Sequence, residues 1–175
     1  MGHRVVKGLK WARLSPDGPP GLKGSRPRGA KREGLRYERQ IAQAFGPTAK
    51  HGQWLVFEDQ NGLGWAQPDI LFPLRNELFV LEAKYTWVPE AHTQLGQLYL
   101  PLLEAVFESS RIYGIVMVKA LTPMARKNFI CSTMERALEM ARLGTGAPVL
   151  QWLGTGPMWQ AGASRAALAA KELGL

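Results

Sequence analysis

The residues of this chain best placed to do chemistry are two carboxylates and an ammonium, in Pro68-Asp69 and Glu82-Ala83-Lys84. They lie in the run QPDILFPLRNELFVLEAKYTW over residues 67–87. There, apolar stretches at 70–72 and 78–81 flank a turn-forming Pro73-Leu74-Arg75-Asn76-Glu77. A hairpin closing with Pro73 opposite Leu78 sets Leu71 against Val80, Asp69 against Glu82 and Gln67 against Lys84, each pair on one face. Directly opposed Cβ atoms lie roughly 4.5–5.5 Å apart, and like charges placed so destabilise a sheet. A cation must offset the pair, and a divalent metal with hard oxygen ligands is the natural candidate. Alternation puts Leu78, Val80, Glu82 and Lys84 on one face and Phe79, Leu81, Ala83 and Tyr85 on the other. The first face starts apolar and ends charged, as in a strand leaving the core for a cleft. A surface hairpin with Glu82 paired to Lys84 accounts for each residue singly, but not for the matched set.

A third carboxylate belongs beside them. Residues 31–45, KREGLRYERQIAQAF, have helical periodicity with Ile41, Ala42 and Phe45 as the apolar stripe. Glu38 precedes Ile41 and Ala42 by three and four residues, so it falls on that stripe. It either completes a metal site against the sheet or pairs at the helix border with Arg36 or Arg39.

Glu38 on an N-terminal helix, Asp69 after a proline and Glu82-x-Lys84 on the next strand resemble the PD-(D/E)XK nuclease superfamily. The order helix, strand, hairpin, helix, strand over about residues 31–119 looks most like the archaeal-type Holliday-junction resolvases, including phage-carried versions. The resemblance implies an α/β fold with a restriction-endonuclease-like core, a central mixed β-sheet flanked by helices. It implies Asp69 and Glu82 as ligands of Mg²⁺ (Mn²⁺ substituting), the Ala83 carbonyl as a further ligand and Glu38 completing the shell directly or through water. Lys84 would orient the attacking water and stabilise charge on the phosphate. These resolvases carry a Ser or Thr in the loop before the Asp strand. Here Gln60-Asn61-Gly62-Leu63-Gly64 has neither, and Asp59 is a spare carboxylate at a strand end. Nucleases of the RecB kind place a Gln, then a Tyr four residues on, in the helix after the catalytic Lys. In the helical stretch 90–109, Gln94 and Tyr99 stand five apart, and Gln97 is followed at that spacing by Pro101. Gln94 therefore reads as a polar residue on a half-exposed helix, and Gln97 is the candidate for a phosphate contact.

Charge is concentrated at the start of the chain. Residues 1–34 carry nine Lys/Arg against Asp17 and Glu33, a net +7 of the whole chain's +8. With Pro16, Pro19, Pro20, Pro27 and many glycines, residues 1–30 read as a flexible basic arm, and 31–175 as a single domain. Leu9, Trp11 and Leu14 are apolar enough for part of the arm to pack locally. Arg26, Arg28, Lys31, Arg32 and Arg36, with Gln97, are the DNA-binding candidates, since cationic arms grip phosphates largely irrespective of sequence.

At 175 residues and 46% hydrophobic content a sizeable core is expected. No apolar run has the length of a membrane span, none reads as a signal peptide, and the single Cys131 excludes an internal disulfide. These features point to a cytoplasmic setting, in a bacterial host if the protein is phage-borne. Cys131 falls in a helical stretch at 122–143 and reads as a buried structural thiol. His3, His51 and His92 lack metal-ligand spacing. Residues 112–118 and 147–153 read as strands, and 164–173 as an Ala-rich helix. The two Leu-Gly-Thr-Gly tetrapeptides at 143–146 and 153–156 read as turns. Trp152, Met158 and Trp159 supply either a dimer face or core packing. Three function classes follow. One is a homodimeric Mg²⁺-dependent endonuclease resolving four-way DNA junctions. The others are a restriction-type or RecB-like nuclease, and a non-catalytic DNA-binding module.

Overall fold

The N-terminal stretch, expected to be part of a flexible arm, is built into the fold. In the computed structural model, which describes residues 4–21 and 28–160, β1 (Trp11–Ser15) is followed by α1 (Ala30–Phe45), β2 (Lys50–His51), β3 (Trp54–Asp59) and β4 (Gly62–Ala66). β1 pairs antiparallel with β3, from Trp11 against Glu58 to Ser15 against Trp54, and β3 pairs with β4, giving a three-stranded sheet. The Pro/Gly density is real, but the five residues of β1 contain neither, and a segment that short is enough to extend an open sheet edge.

Charge fixes the attachment. Asp59 ends β3 wholly buried, and its carboxylate takes the Arg4 guanidinium, the Asn61 N–H at 2.8 Å and the Lys7 N–H at 3.5 Å. Arg4 also donates to the carbonyls of Leu63 and Gly62 and lies 4.9 Å from the Phe57 ring centroid. Lys10 pairs with Glu58 at 2.6 Å. Asp59, the spare carboxylate of the sequence, is thus committed to a structural ion pair. Of the expected apolar anchors, Leu9 packs against the core, with Val6 and Ala12, while Trp11 and Leu14 stay exposed.

The chain continues through β5 (Ile70–Leu74), β6 (Glu77–Thr86), α2 (Glu90–Gln94), a π-helical turn (Leu95–Tyr99), α3 (Leu100–Val106), β7 (Arg111–Ala120), β8 (Ile130–Cys131), α4 (Met134–Arg142) and β9 (Val149–Gln151). A six-stranded sheet runs β2-β5-β6-β7-β9-β8. β2, β5 and β6 pair antiparallel; β6, β7, β9 and β8 pair parallel, so the sheet is mixed. The fold class is α/β, a mixed sheet flanked by helices. The β5–β6 register is the expected one, Pro73 against Leu78 and Leu71 against Val80, with a turn tightened to Arg75-Asn76.

Strand alternation then divides the core. Phe79, Leu81, Ile70 and Phe72 pack under α1 and α4 with Tyr37, Ile41, Phe45 and Leu138. Val80, Leu78, Leu71, Val116 and Val118 pack with Leu95, Leu98, Leu102 and Leu103 of the segment 90–106, and with Leu55 and Phe57 of the small sheet. α1 stops where expected: Gly46 adopts φ 67° and its N–H closes onto the Ala42 and Gln43 carbonyls, with Pro47 next in sequence.

Three expectations are corrected. Residues 122–143 are not one helix. A 3₁₀ turn (Pro123–Lys127) and strand β8 precede α4, because Asn128 and Thr133 are extended and Ile130-Cys131 pairs with β9. Cys131 is nonetheless buried, and burial raises its thiol pKa. Trp152 and Met158 sit in the core with Trp159 packed against it, so they form core and not a dimer face. The strand expected at 147–153 shortens to β9. The helix expected at 164–173, and Arg26, lie outside the described residues. No helix among the described residues is long and apolar enough to cross a membrane.

Deleting residues 1–15 removes β1 and leaves Asp59 buried without its counterion. The thermal midpoint should fall by on the order of 5 °C or more. A truncated chain melting like the full one would mean that the segment contributes nothing to the fold.

Candidate active site

β6 outruns its antiparallel neighbour. The β5–β6 ladder ends at Ile70 against Leu81, while β6 continues to Thr86, paired on its other edge to β7 through Glu82–Val116 and Lys84–Val118. The bare edge beyond Leu81 is closed by a side chain: Asp69 Oδ2 accepts the Ala83 N–H at 2.7 Å. This brings Asp69 to the start of β5, in line with Glu82, as the register requires.

Glu82 is wholly buried. Its Oε1 accepts a hydrogen bond from the Lys84 ammonium, and its Oε2 is buried with no partner among the described residues. A carboxylate oxygen stripped of water and left unpaired is costly. Removal from water, then the charge of Asp69, pushes the Glu82 carboxyl up to about 8, against the pull of Lys84. Glu38, half-buried on α1, is raised to about 7, first by burial and then by Asp69. Asp69 is raised too, chiefly by burial, with the Ala83 N–H and Lys84 opposing. Burial alone would lower the Lys84 ammonium; Glu82, Asp69 and Glu38 outweigh it and hold the ammonium above its usual range. Burial, with one ammonium among three carboxyl groups, therefore keeps protons on Glu38 and Glu82 toward neutrality and raises Asp69 in the same direction.

These groups fit a hard divalent cation. Glu82 Oε2 is an oxygen donor without a partner, and Asp69 supplies a second carboxylate beside it. Among the described residues no three His, Cys, Asp or Glu side chains converge as a ready-made cage. Mg²⁺ does not need one, since it is commonly held by one or two carboxylates with water and substrate phosphate filling the rest.

Three further residues join the site. His51 Nε2 on β2 lies 4.0 Å from Glu38 Oε2 and favours ionisation of Asp69. Sequence spacing could not reveal this, because β2 reaches the site only by pairing His51 with Ile70. Gln94 and Tyr99 are the second case. The π-helical turn, closing i to i+5, carries residues five apart onto one side, and Gln94 Nε2 donates to the Tyr99 hydroxyl at 2.5 Å. That hydroxyl donates to the Gln67 carbonyl at 2.9 Å, and its pKa is raised by burial and then by Glu82 and Asp69. Pro101 is the sequence signal: it has no N–H for the Gln97 carbonyl, which accepts from Val6 N–H at 3.0 Å instead. Gln97 itself is exposed. Arg28, Lys31, Arg32 and Arg36 are exposed on α1 and just before it, the helix that carries Glu38.

Comparison with protein-family models, with curated proteins and with solved structures gives no match to this chain.

The raised carboxyls set a pH dependence. In the unfolded chain both glutamates ionise near 4.5; in the folded chain Glu38 and Glu82 keep their protons to about 7 and about 8. The native state thus binds more protons across that interval, and stability in chelator should fall as pH rises from about 4.5 to about 8. Lys84 acts above this window and the lowered carboxyls of Glu58 and Asp59 act below it; inside it the lowered His92 imidazole opposes the trend, one group against the raised Glu38, Asp69 and Glu82. Added Mg²⁺ should stabilise increasingly over the same interval as it displaces the protons. Melting curves from pH 5 to 9 with EDTA or Mg²⁺ check this; a midpoint rising through the window in EDTA would contradict it.

Proposed function

We propose that this chain is a metal-dependent nuclease of the PD-(D/E)XK kind, with a restriction-endonuclease-like core, hydrolysing phosphodiester bonds in DNA. The observation that carries this reading is the buried, unpartnered Glu82 Oε2 beside Asp69 and Lys84 at the free end of β6. A buried oxygen of that kind costs stability unless something binds it.

Asp69, Glu82 and the Ala83 carbonyl would hold Mg²⁺ or Mn²⁺, with Glu38 completing the set directly or through water. When bound, the ion supplies Lewis-acid polarisation of a phosphoryl oxygen and a more acidic water. Lys84, whose ammonium pairs with Glu82, is the cationic group beside the carboxylates. It orients the attacking water and stabilises charge developing on the phosphate. The Ala83 N–H fixes the Asp69 carboxylate, so the carboxylate is positioned before substrate arrives. Arg28, Lys31, Arg32 and Arg36 lead the polyanion toward Glu38 by charge and without sequence preference.

The specific form we favour is resolution of four-way junctions by a homodimer, two sites cutting opposite strands. One observation favours a second form. The π turn sets Gln94 and Tyr99, five apart, on one side of the segment after Lys84, where nucleases of the RecB kind, which process DNA ends, carry a Gln and then a Tyr. Cleavage of a four-way junction, a plain duplex and a single strand, each with and without Mg²⁺, separates the two.

Asp69→Asn and Glu82→Gln should abolish cleavage while leaving DNA binding largely intact. Lys84→Ala should lower kcat by roughly 10²–10³-fold. Gel assays of cutting and binding in parallel check this. Cutting that persists in EDTA, or binding lost together with cutting, would sink the mechanism.

A further inference from the structure

At the opposite end of β6 from Lys84 lies a cleft of about 290 Å³ lined by Arg75, Asn76, Glu77, Arg111 and Arg142. Lys84 lies seven positions along the strand from Glu77, on the order of 23 Å at the usual rise. The cleft is therefore remote from the proposed nuclease site, and the following inference does not rest on that proposal.

Three guanidiniums here face one carboxylate. Arg142, at the end of α4, forks onto Glu77, with Nε 3.3 Å from Oε1 and a terminal nitrogen 2.8 Å from Oε2, and lies 5.4 Å from the Phe79 ring centroid. That bidentate pair already neutralises the buried Glu77. Arg111, at the start of β7, comes no closer to Glu77 than 3.7 Å, beyond hydrogen-bond reach, and its side chain is 65% exposed. Arg75 makes no side-chain hydrogen bond or ion pair among the described residues. Two fork-shaped donors at the rim of a concave site are thus surplus to what Glu77 requires.

The backbone supplies an independent sign. Arg75 is the one non-glycine residue with positive φ, 56°, among the described residues. It occupies the first position of the two-residue β5–β6 turn, where glycine would sit without strain. Arginine is the strained choice there, and it presents a guanidinium to the cleft.

We infer that this cleft binds a phosphoryl anion, held between the guanidiniums of Arg75 and Arg111 while Arg142 stays paired with Glu77. Planar guanidinium forks match phosphate oxygens in pairs, and the cleft has room for such a group. Its source is either free phosphate or a phosphate of a nucleic-acid backbone.

The test is calorimetry and thermal melting of the full chain with inorganic phosphate, ionic strength held constant with chloride. Phosphate should raise the midpoint of the wild-type chain, and R75A/R111A should weaken the apparent affinity at least about tenfold. Arg75→Gly should melt higher than wild type without phosphate, because the turn relaxes, yet bind phosphate more weakly. No phosphate response in wild type at matched ionic strength would overturn the inference, as would an equal response in R75A/R111A or undiminished binding in R75G. A DNA 20-mer titrated in EDTA identifies the source. If R75A/R111A also weakens DNA binding and flattens its salt dependence, the anion is a backbone phosphate. If it loses only the phosphate response, the ligand is a free phosphoryl group.

Discussion

Everything at the free end of β6 depends on the electrostatic imbalance of Asp69 and Glu82, two carboxyls drawn out of water and facing each other across a strand pair. One ammonium, Lys84, cannot satisfy both, and Glu82 Oε2 is left with no partner. A sheet optimised for stability alone would place a Val or Thr at such a position. The rest of the fold acts to keep the imbalance in place. The β5–β6 register brings Asp69, one residue before β5, alongside Glu82 just past the end of the ladder, β7 supports the outer edge of β6, and the Ala83 N–H immobilises Asp69. α1 and the segment 90–106 press from the two faces, bringing Glu38 from one side and Tyr99 from the other.

Local periodicity made much of this legible. The alternation along residues 78–84 set which side chains share a face, and the proline in residues 73–77 marked the turn, so the register could be read before any fold was known. The 3.6-residue stripe through Ile41 and Phe45 likewise placed Glu38 beside the sheet. Contacts that hang on long-range pairing were not legible. His51 reaches Glu38 only because a two-residue strand joins the sheet edge, and Arg4 finds Asp59 across 55 positions. Composition misled at the N-terminus, because a Pro/Gly-rich average hid five residues able to form a strand. Periodicity misled at 122–143, where apolar spacing ran unbroken over a turn, a short strand and a helix. A spacing of five separates Gln94 from Tyr99 on an unbroken α-helix, and Pro101 four residues after Gln97 is the local reason that a π turn brings them together.

The folded N-terminus also alters how the basic charge is distributed. Arg4 and Lys10 are spent on Asp59 and Glu58, so the net charge of the first 34 residues overstates what is free to meet phosphate. The exposed cations that remain at Arg28, Lys31, Arg32 and Arg36 lie along or just before α1, which also carries Glu38. For the proposed nuclease, an electrostatic path on the same helix as a candidate metal ligand would couple binding to chemistry more tightly than a loose arm.

The central claim is that Asp69 and Glu82 form a divalent-cation site. It is tested most directly by anomalous diffraction from crystals grown with Mn²⁺. The account predicts an anomalous peak within about 2.0–2.3 Å of both carboxylates, with Lys84 withdrawn from Glu82. A structure at saturating Mn²⁺ with no peak there, and with the Lys84–Glu82 ion pair intact, would contradict it.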